Sequence, residues 1–299
     1  MRAFITGSTG FIGTHLSRLL LDQGHTVTGM GRSPAHPLEG NENFNYISAD
    51  STKEGDWQST ISEADAIINL AGVSIFRYWT KKTKSQIYDS RILTTRNIVQ
   101  AMPAGTDQVL ISASAVGYYG DKGEEILNED STPGPCFLSQ VCVDWEKEAF
   151  QAKEKNKRVV AMRFGPVFDK NGGPLSTMIL AFKFFAGGPL ASGKQWMSWV
   201  HIDDLLSSTL FILENKSING PVNICTSHPV RNREFAKKVG KILKRPSFFK
   251  VPVFAIKLLM GEMGLAMTFS QKALPEKLLR LGFEFKYPRI QKALEISLK

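Results

Sequence analysis

Three glycines near the start of the chain have the spacing of a phosphate-binding turn. Gly7, Gly10 and Gly13 follow a short apolar run and lead into a stretch with helical periodicity. Glycine permits the tight turn, leaves room where the backbone approaches a pyrophosphate, and lets the following helix lie close to the sheet. The free N–H groups of the helix N-terminus then face the phosphates. We therefore predict a dinucleotide site; the alternative is a strand–turn–helix connection without a ligand. The predicted contact residues of the turn are Gly7, Thr9, Gly10, Phe11, Ile12 and Gly13.

Residues that follow the next predicted strands indicate which dinucleotide would bind. NAD sites commonly carry an acidic residue after the second strand to hold the ribose 2′-hydroxyl, but this chain has Gly31 and Arg32 there. Arginine can pair with a 2′-phosphate through its planar guanidinium, so we expect NADP(H) rather than NAD(H); the alternative is a surface arginine. Asp50 follows the third strand, where its carboxylate is expected to accept a hydrogen bond from the adenine amino group.

Further cofactor contacts are expected where the fourth predicted strand ends. Leu70, Ala71 and Gly72 form this end, and small residues are needed where the backbone passes a cofactor. Arg91, in the helical pattern that follows, is included among the cofactor-binding candidates. The alternative is that Arg91 and Arg96 both form surface ion pairs, which contribute little to stability.

The elements that would position these residues alternate between strands and helices, which implies a parallel sheet covered on both faces. The predicted strands are 3–6, 27–31, 45–49, 66–70, 108–112 and 159–163, and the predicted helices are 11–23, 80–102 and 139–155. Loops rich in proline and glycine follow Arg163, and beyond them we predict a helix capped by Asp203 or Asp204 and a strand over 222–225. We expect a dinucleotide-binding domain at 1–166, with later elements near 200–226 returning to it, and a substrate or cap region at 167–299.

The composition limits the class of protein and its partners. The chain has 42% hydrophobic and 22% charged residues, and no stretch approaches the roughly 20 apolar residues of a membrane span, so we expect no membrane partner. The formal charge is +9, but the basic residues are spread along the chain and mixed with acids, so we expect no nucleic-acid partner. The three cysteines without metal-ligand spacing, and the lack of a signal peptide, indicate reduced thiols, no metal and a cytoplasmic location. The oligomeric state stays open.

Several motifs together resemble a known superfamily. TGSTGFIG, the Ala71-Gly72 turn, the segment from Ser112 to Gly120 and WVHIDD are similar to the extended short-chain dehydrogenase/reductases, in the epimerase/dehydratase group. NLAGVSI, SASAVGYYG, DWEKEA and LGFEFKYP narrow the resemblance to the epimerase family proteins related to short-chain dehydrogenase/reductase family 39U. The resemblance covers nearly the whole chain. It implies an α/β fold, a doubly wound Rossmann domain with a smaller C-terminal α/β cap domain, and NADP(H) as the cofactor.

The chemistry of this superfamily rests on a Tyr-x-x-x-Lys pair, in which the lysine lowers the pKa of the tyrosine so that its hydroxyl exchanges a proton with the substrate. Ser114 matches the serine that orients the substrate carbonyl, but Phe137 and Val141 stand where the pair is expected. Neither side chain can transfer a proton. Ser114 and Tyr118 are therefore the candidate catalytic residues, and the alternative for Tyr118 is that its ring only lines the pocket.

Two segments beyond the sixth predicted strand are expected near the reacting end of the cofactor. Pro166 lies in a segment that resembles the one passing the nicotinamide ring. The later loop over 187–196 is expected to close over the substrate, with Trp196 and Trp199 as aromatic walls, or else to be a surface loop.

Two functions are consistent with these observations. The first is an NADP-dependent oxidoreductase or epimerase-like enzyme that acts on a small molecule, such as one resembling a sugar nucleotide. The second is a cofactor-binding regulatory or interaction protein without catalysis. The absent tyrosine and lysine favour cofactor binding over turnover, and the fold alone does not supply the substrate.

Overall fold

Seven parallel strands form the central sheet of the computed structural model, which describes residues 1–169 and 172–298. Numbered along the chain, the strands are β1 (Arg2–Thr6), β2 (Thr26–Gly31), β3 (Phe44–Ser48), β4 (Ala66–Asn69), β5 (Val109–Ala115), β6 (Ile126–Leu127), β7 (Arg158–Phe164), β8 (Val167–Phe168), β9 (Trp196–Met197), β10 (Val200–His201), β11 (Gly220–Ile224), β12 (Val230–Arg231) and β13 (Lys272–Ala273). The sheet order is β11-β7-β5-β4-β1-β2-β3, and each neighbouring pair is parallel. The predicted α/β fold with a doubly wound Rossmann sheet is confirmed.

Helices cover both faces of this sheet and build most of the C-terminal part. They are α1 (Phe11–Asp22), α2 (Lys81–Ala101), α3 (Phe137–Phe150), α4 (Gly173–Lys183), α5 (Ile202–Glu214), α6 (Asn232–Leu243), α7 (Val253–Ala266), α8 (Glu276–Arg280) and α9 (Ile290–Leu298). Short 3-10 helices occur at Asp56–Glu63, Val116–Tyr119 and Gln151–Lys155. The helices expected at 11–23, 80–102 and 139–155 correspond to α1, to α2, and to α3 with the 3-10 helix that follows it.

The sheet separates two hydrophobic clusters. Adjacent residues of a strand point to opposite faces, so Ile67 and Ile68 of β4, both fully buried, belong to different clusters. Ile68 packs with Leu16 of α1 and Leu205 of α5 on one face. Ile67 packs on the other face, with Ile98 of α2. Strands buried on both faces explain why the sequence runs are apolar throughout rather than alternating.

The direction of strand addition reverses beside β1. From β1 the chain adds β2 and β3 on one side, and β4, β5, β7 and β11 on the other. In open α/β sheets ligands bind in the crevice outside the carboxyl ends of the strands at this switch point. The turn after Thr6 and the segment after Asn69 both lie there, because Thr6 and Asn69 are register partners at the ends of β1 and β4.

Strand β5 is longer than the sequence predicted. It continues from Ser112 to Ala115, and Ala113, Ser114 and Ala115 pair with β7 through to Phe164. The prediction stopped at Ser112 because polar residues follow the apolar run. Ser112 and Ser114 are nevertheless buried, since each hydroxyl has a hydrogen-bond partner inside the protein.

The helix expected near residue 203 is present as α5, but the predicted cap is wrong. His201 is the N-cap residue, and its Nδ1 accepts from the backbone N–H of Asp203 at 3.2 Å. Asp204 instead fixes the C-terminal segment, because its carboxylate accepts from the N–H groups of Lys286 and Tyr287 at 2.6 and 3.0 Å. Within the described ranges, no helix is both long and apolar enough to cross a membrane.

Candidate cofactor site

The glycine turn is closed on one side by the backbone of β4. Gly7 has a positive φ of 70°, and a Cβ on it would lie 2.9 Å from the carbonyl carbon and oxygen of Leu70. A Cβ on Gly13 would overlap the carbonyl oxygen of Gly7. Glycine at these two positions is therefore required by the close approach of turn, helix and strand, as the sequence predicted.

Gly10 differs from the other two glycines because it faces open space. It is exposed, and a Cβ on it would meet one atom within 4 Å, the carbonyl oxygen of Gly7 at 3.1 Å. Gly10 is also the N-cap of α1, so no side chain satisfies the N–H groups of the first turn, which contains no acidic residue. A helix N-terminus left in this state is suited to hold an anion.

The carboxyl end of β2 forms the adenosine side of the crevice. A Cβ on Gly31 would lie 2.8 Å from Thr9 Oγ1, so Thr9 is in direct contact with this strand. Arg32 is exposed. Burial acts to raise the pKa of the Asp50 carboxyl, but hydrogen bonds from Thr52 and the charge of Arg32 hold the pKa below its ordinary value. Asp50 thus stays an acceptor, and Arg32 lies within electrostatic reach of it.

His36, which the sequence analysis did not consider, fastens the loop after β2 to the glycine turn. It is buried, with Nε2 3.0 Å from the carbonyl oxygen of Ser8, while Nδ1 accepts from the N–H of Leu38. These partners require the proton on Nε2. The ring also packs against Phe44 and Tyr46, at centroid distances of 4.5 and 5.3 Å. No local sequence signal marks this contact, because 28 residues separate His36 from Ser8.

Arg91 lies beneath the other wall of the crevice. Its Nη1 donates to the carbonyl oxygens of Val73 and Ile87 at 3.1 and 2.9 Å, and a Cβ on Gly72 would lie 3.2 Å from its Cζ. Burial lowers the pKa of the Arg91 guanidinium, and no carboxylate in the described residues forms an ion pair with it. The alternative of a surface ion pair is therefore wrong for Arg91. It holds for Arg96, which pairs with Glu148 at 2.5 Å.

Phe11 and Pro166 are held by the residues that follow β7. A Cβ on Gly172 would overlap the Phe11 ring, so the chain after β8 covers this side chain. Phe11 can then offer a ligand its backbone rather than its ring. Pro166 is half-buried, and its carbonyl oxygen accepts from the N–H of Val200 at 3.0 Å.

Ser114 is part of a buried charged network. Its hydroxyl donates to Glu146 Oε1 at 2.6 Å, and the same carboxylate receives two hydrogen bonds of 2.8 Å from Arg163. All three side chains are buried. The hydroxyl proton of Ser114 is thereby engaged, which leaves the oxygen free only to accept. Sequence reasoning missed Glu146, although a carboxylate between the buried residues of α3 is an available signal.

The two adjacent tyrosines have different environments. Tyr119 is fully buried, and its hydroxyl contacts Arg163 and Asn223 at 3.1 and 2.7 Å. Burial raises the pKa of Tyr119 well above its ordinary value, so this hydroxyl does not exchange protons near neutral pH. Tyr118 is half-buried, and its ring lies over the Arg163 guanidinium, 3.5 Å from centroid to Cζ. Of the pair, Tyr118 has the accessible side chain.

The positions of the missing pair are apolar in the folded protein. Val141 is buried, and Phe137 packs edge-on against Trp79 at 5.3 Å. A cavity of about 150 Å³ lies beside Phe137 and is lined by Trp79, Cys136, Phe137, Leu138, Glu262, Leu265, Ala266 and Phe269. Burial and the charge of Glu146 raise the pKa of the nearby Cys142 thiol to about 12, so it stays protonated. The three cysteines are free thiols, and the described residues contain no cluster of acidic, histidine and cysteine side chains that could bind a metal.

The two tryptophans of the expected lid do not form a pocket wall together. Trp199 is fully buried and stacks on Phe168 at 5.6 Å, in the core of the C-terminal part, so its predicted role is wrong. Trp196 is half-buried; its Nε1 donates to Glu124 at 3.0 Å, and Arg231 lies over its ring. These contacts favour the alternative of a surface loop fastened by tryptophan.

Comparisons with known proteins agree with this geometry. A model of the NAD dependent epimerase/dehydratase family matches residues 3–225, and a model described as a domain of unknown function matches residues 251–296. The chain is 39% identical over 298 residues to the epimerase family protein SDR39U1 homolog, chloroplastic, of Arabidopsis thaliana, covering 98% of this chain and 86% of that protein. It is 37% identical over 298 residues to the epimerase family protein YfhF of Bacillus subtilis, covering 98% and 97% of the two chains.

Solved structures extend the comparison. The structure of human epimerase family protein SDR39U1 (isoform 2) with NADPH superposes with a TM-score of 0.86 and 28% identity, and each chain is covered completely. The UDP-glucuronic acid 4-epimerase of Bacillus cereus, with UDP-glucuronic acid and NAD, has a TM-score of 0.82 at 21% identity over 99% and 98% of the chains, and so shares the fold alone. The family indicated by the sequence motifs is therefore confirmed: this chain belongs to the NAD dependent epimerase/dehydratase family.

Proposed function

We propose that this protein binds NADPH in the crevice between β1 and β4 and uses it as an oxidoreductase of the epimerase/dehydratase type on a small molecule. The observation that carries the proposal is the exposed Gly10 at the uncapped N-terminus of α1, on the same side of the sheet as Arg32. The NADPH present in the structure of the human relative supports this choice of cofactor.

Five features would hold the cofactor. The N–H groups at the start of α1 would bind the pyrophosphate beside Gly10, and Arg32 would pair with the 2′-phosphate. Asp50 would accept from adenine. Leu70, Ala71 and Gly72 would form the opposite wall, where the buried charge of Arg91 lies beneath Gly72. When bound, NADPH supplies a hydride, and the protein supplies binding, orientation and electrostatics.

Proton exchange in this proposal does not use a tyrosine–lysine pair. Ser114 donates to Glu146, so it can accept a hydrogen bond from a substrate hydroxyl but does not offer its proton to a carbonyl. Tyr118 is the accessible hydroxyl of the segment and is our candidate proton donor. The apolar setting of Phe137 and Val141 would disfavour a lysine ammonium at this place.

The same network favours a second candidate function, a cofactor-binding regulatory or interaction protein without turnover. The Ser114–Glu146–Arg163 arrangement already satisfies the one serine that matches the superfamily. A rigid, buried network around a missing pair is what binding without chemistry would require.

We also propose the division of labour within the chain. Residues 1–166, with returning elements near 200–226, would hold the cofactor, since β11 joins the sheet beside β7. Residues 167–299 would cover the substrate. Two contacts support this division: the chain after β8 packs on Phe11, and α7 lines the cavity beside Phe137.

A turnover experiment separates the two candidate functions. The protein is mixed with NADP⁺ or NADPH and a panel of alcohols, carbonyl compounds and nucleotide sugars, and absorbance of the reduced cofactor is followed. Turnover that falls at least about tenfold in Tyr118→Phe, while Tyr46→Phe retains it, supports the enzyme with Tyr118 as proton donor. Tight NADPH binding with no hydride transfer to any compound supports the non-catalytic function.

A further inference from the structure

The C-terminal part exposes a group of large apolar side chains, which we call the phenylalanine surface. Its members come from the end of α4, the segment before α7, and α7 itself. They are Leu180, Phe184, Phe185, Phe248, Phe249, Phe254, Leu258 and Leu259. Five of them (Phe184, Phe248, Phe254, Leu258 and Leu259) are 72% to 78% exposed. Apolar groups of this size rarely gather on a surface without a partner.

Backbone contacts join the two segments that carry this surface. The N–H of Val251 donates to the carbonyl oxygen of Pro189, and the N–H of Ala191 donates to that of Val251, both at 2.9 Å. A Cβ on Gly188 would overlap the carbonyl oxygen of Phe249. The Arg245 guanidinium also lies over the Phe185 ring at 4.7 Å. The apolar side chains therefore belong to one continuous face.

The charge of this face is of one sign. The sequence has no aspartate or glutamate over 172–202 or over 235–261. Lys183, Arg245, Lys250 and Lys257 lie among the apolar residues, and all four are exposed. Among the ion pairs of the described residues, none involves these four cations.

We propose that the phenylalanine surface docks the protein onto an anionic lipid bilayer. Aromatic and leucine side chains that insert into the headgroup and acyl boundary, together with lysine and arginine at the headgroups, form the usual pattern of interfacial binding. Each cation near an anionic membrane surface adds to the attraction. The sequence expectation of no membrane partner weighed only spanning segments, which this mode of binding does not need.

A second copy of the chain is a poorer occupant of this surface. A twofold dimer would bring the same four cations of each copy together without any carboxylate between them, and like charges across an interface disfavour association. An acidic protein segment would match the charge, but a convex array of side chains that are largely exposed offers it no groove. Both occupants are outcomes of the test below.

The proposal is tested with the full chain and lipid vesicles, without cofactor. Cosedimentation is measured with phosphatidylcholine vesicles that do or do not contain phosphatidylglycerol. We expect binding to the anionic vesicles that weakens as salt is raised. Lys250→Glu with Lys257→Glu should lower the partition coefficient at least about tenfold. Phe254→Ser with Leu258→Ser should lower it comparably, because apolar insertion is lost.

A control pair makes the same charge change elsewhere. Arg18→Glu with Lys147→Glu reverses two exposed cations on α1 and α3 and should leave vesicle binding unchanged. Circular dichroism verifies that each variant is folded. The proposal is overturned if the wild-type protein ignores anionic vesicles, or if the control pair weakens binding as much as Lys250→Glu with Lys257→Glu. It is equally overturned if the serine variants abolish a dimer, or if polyglutamate binds this surface while vesicles do not.

Discussion

Ser114 Oγ lies 2.6 Å from Glu146 Oε1, and the carboxylate that receives its proton is paired with Arg163. The residue that matches the superfamily's substrate-orienting serine is therefore also part of the buried frame that joins β5, α3 and β7. This dual position determines what substitutions at the site would reveal, since effects on stability and on chemistry must be separated.

The first prediction concerns the buried ion pair. Glu146→Ala should destabilise the fold by about 3–5 kcal/mol, because it leaves the Arg163 guanidinium buried without its partner. Glu148→Ala, on the same helix, removes a surface pair with Arg96 and should cost less than about 1 kcal/mol. Urea unfolding of both variants measures the difference. Equal losses would show that the buried network is not a structural frame.

The second prediction separates two glycines of the turn. Gly10→Val should weaken NADPH binding more than about tenfold and leave most of the fold, since its side chain would enter the open space above α1. Gly13→Ala should lower the free energy of unfolding, because its Cβ would overlap the Gly7 carbonyl oxygen. Cofactor titration and thermal unfolding are measured for both. A Gly10→Val protein that binds normally would remove the turn from the site.

The third prediction compares two arginines of α2. Arg91→Leu should reduce NADPH affinity, because the buried charge beneath Gly72 is removed. Arg96→Leu should not, since its guanidinium pairs with Glu148 on the surface. Titration at two salt concentrations checks the electrostatic origin of the effect. If the two variants bind NADPH equally well, Arg91 has only its structural bonds to Val73 and Ile87.

The fourth prediction concerns thiol chemistry and pH. Cys142 has a pKa raised to about 12, so an alkylating reagent at pH 8 should label the half-buried Cys136 and spare Cys142 and Cys225 until the protein unfolds. The ordinary thiol pKa is 9.0, so the unfolded state loses this proton first. Stability should thus fall as pH rises above about 9. Mass spectrometry of labelled peptides tests this order; early labelling of Cys142 would contradict it.

The strand and helix order was predictable because it rests on local patterns. The glycine turn, the apolar strands and the periodicity of α1 each act over a few residues, and the sheet follows from their alternation. The partners of Ser114 and His36 were not predictable, since 32 residues separate Ser114 from Glu146 and 28 separate His36 from Ser8. Trp199 shows the same limit: its indole stacks on Phe168, which is distant in sequence.

The end of α5 nearest the sheet gives a second example. Asp203 and Asp204 have the residue type of a helix cap, yet His201 takes that position because Asp204 is engaged by Lys286 and Tyr287. Propensity selects acceptable residues for a cap, and tertiary contacts select among them.

The central claim is NADPH binding through Arg32, and titration of the folded protein with NADPH and NADH by cofactor fluorescence tests it most directly. We expect NADPH to bind more tightly by at least about tenfold, and Arg32→Ala to lose about 1.5–3 kcal/mol of NADPH affinity with little change for NADH. Arg18→Ala, at an exposed arginine of α1, should bind as the wild type does. Equal affinities for the two cofactors, or an Arg32→Ala protein with unaltered NADPH affinity, would contradict the account.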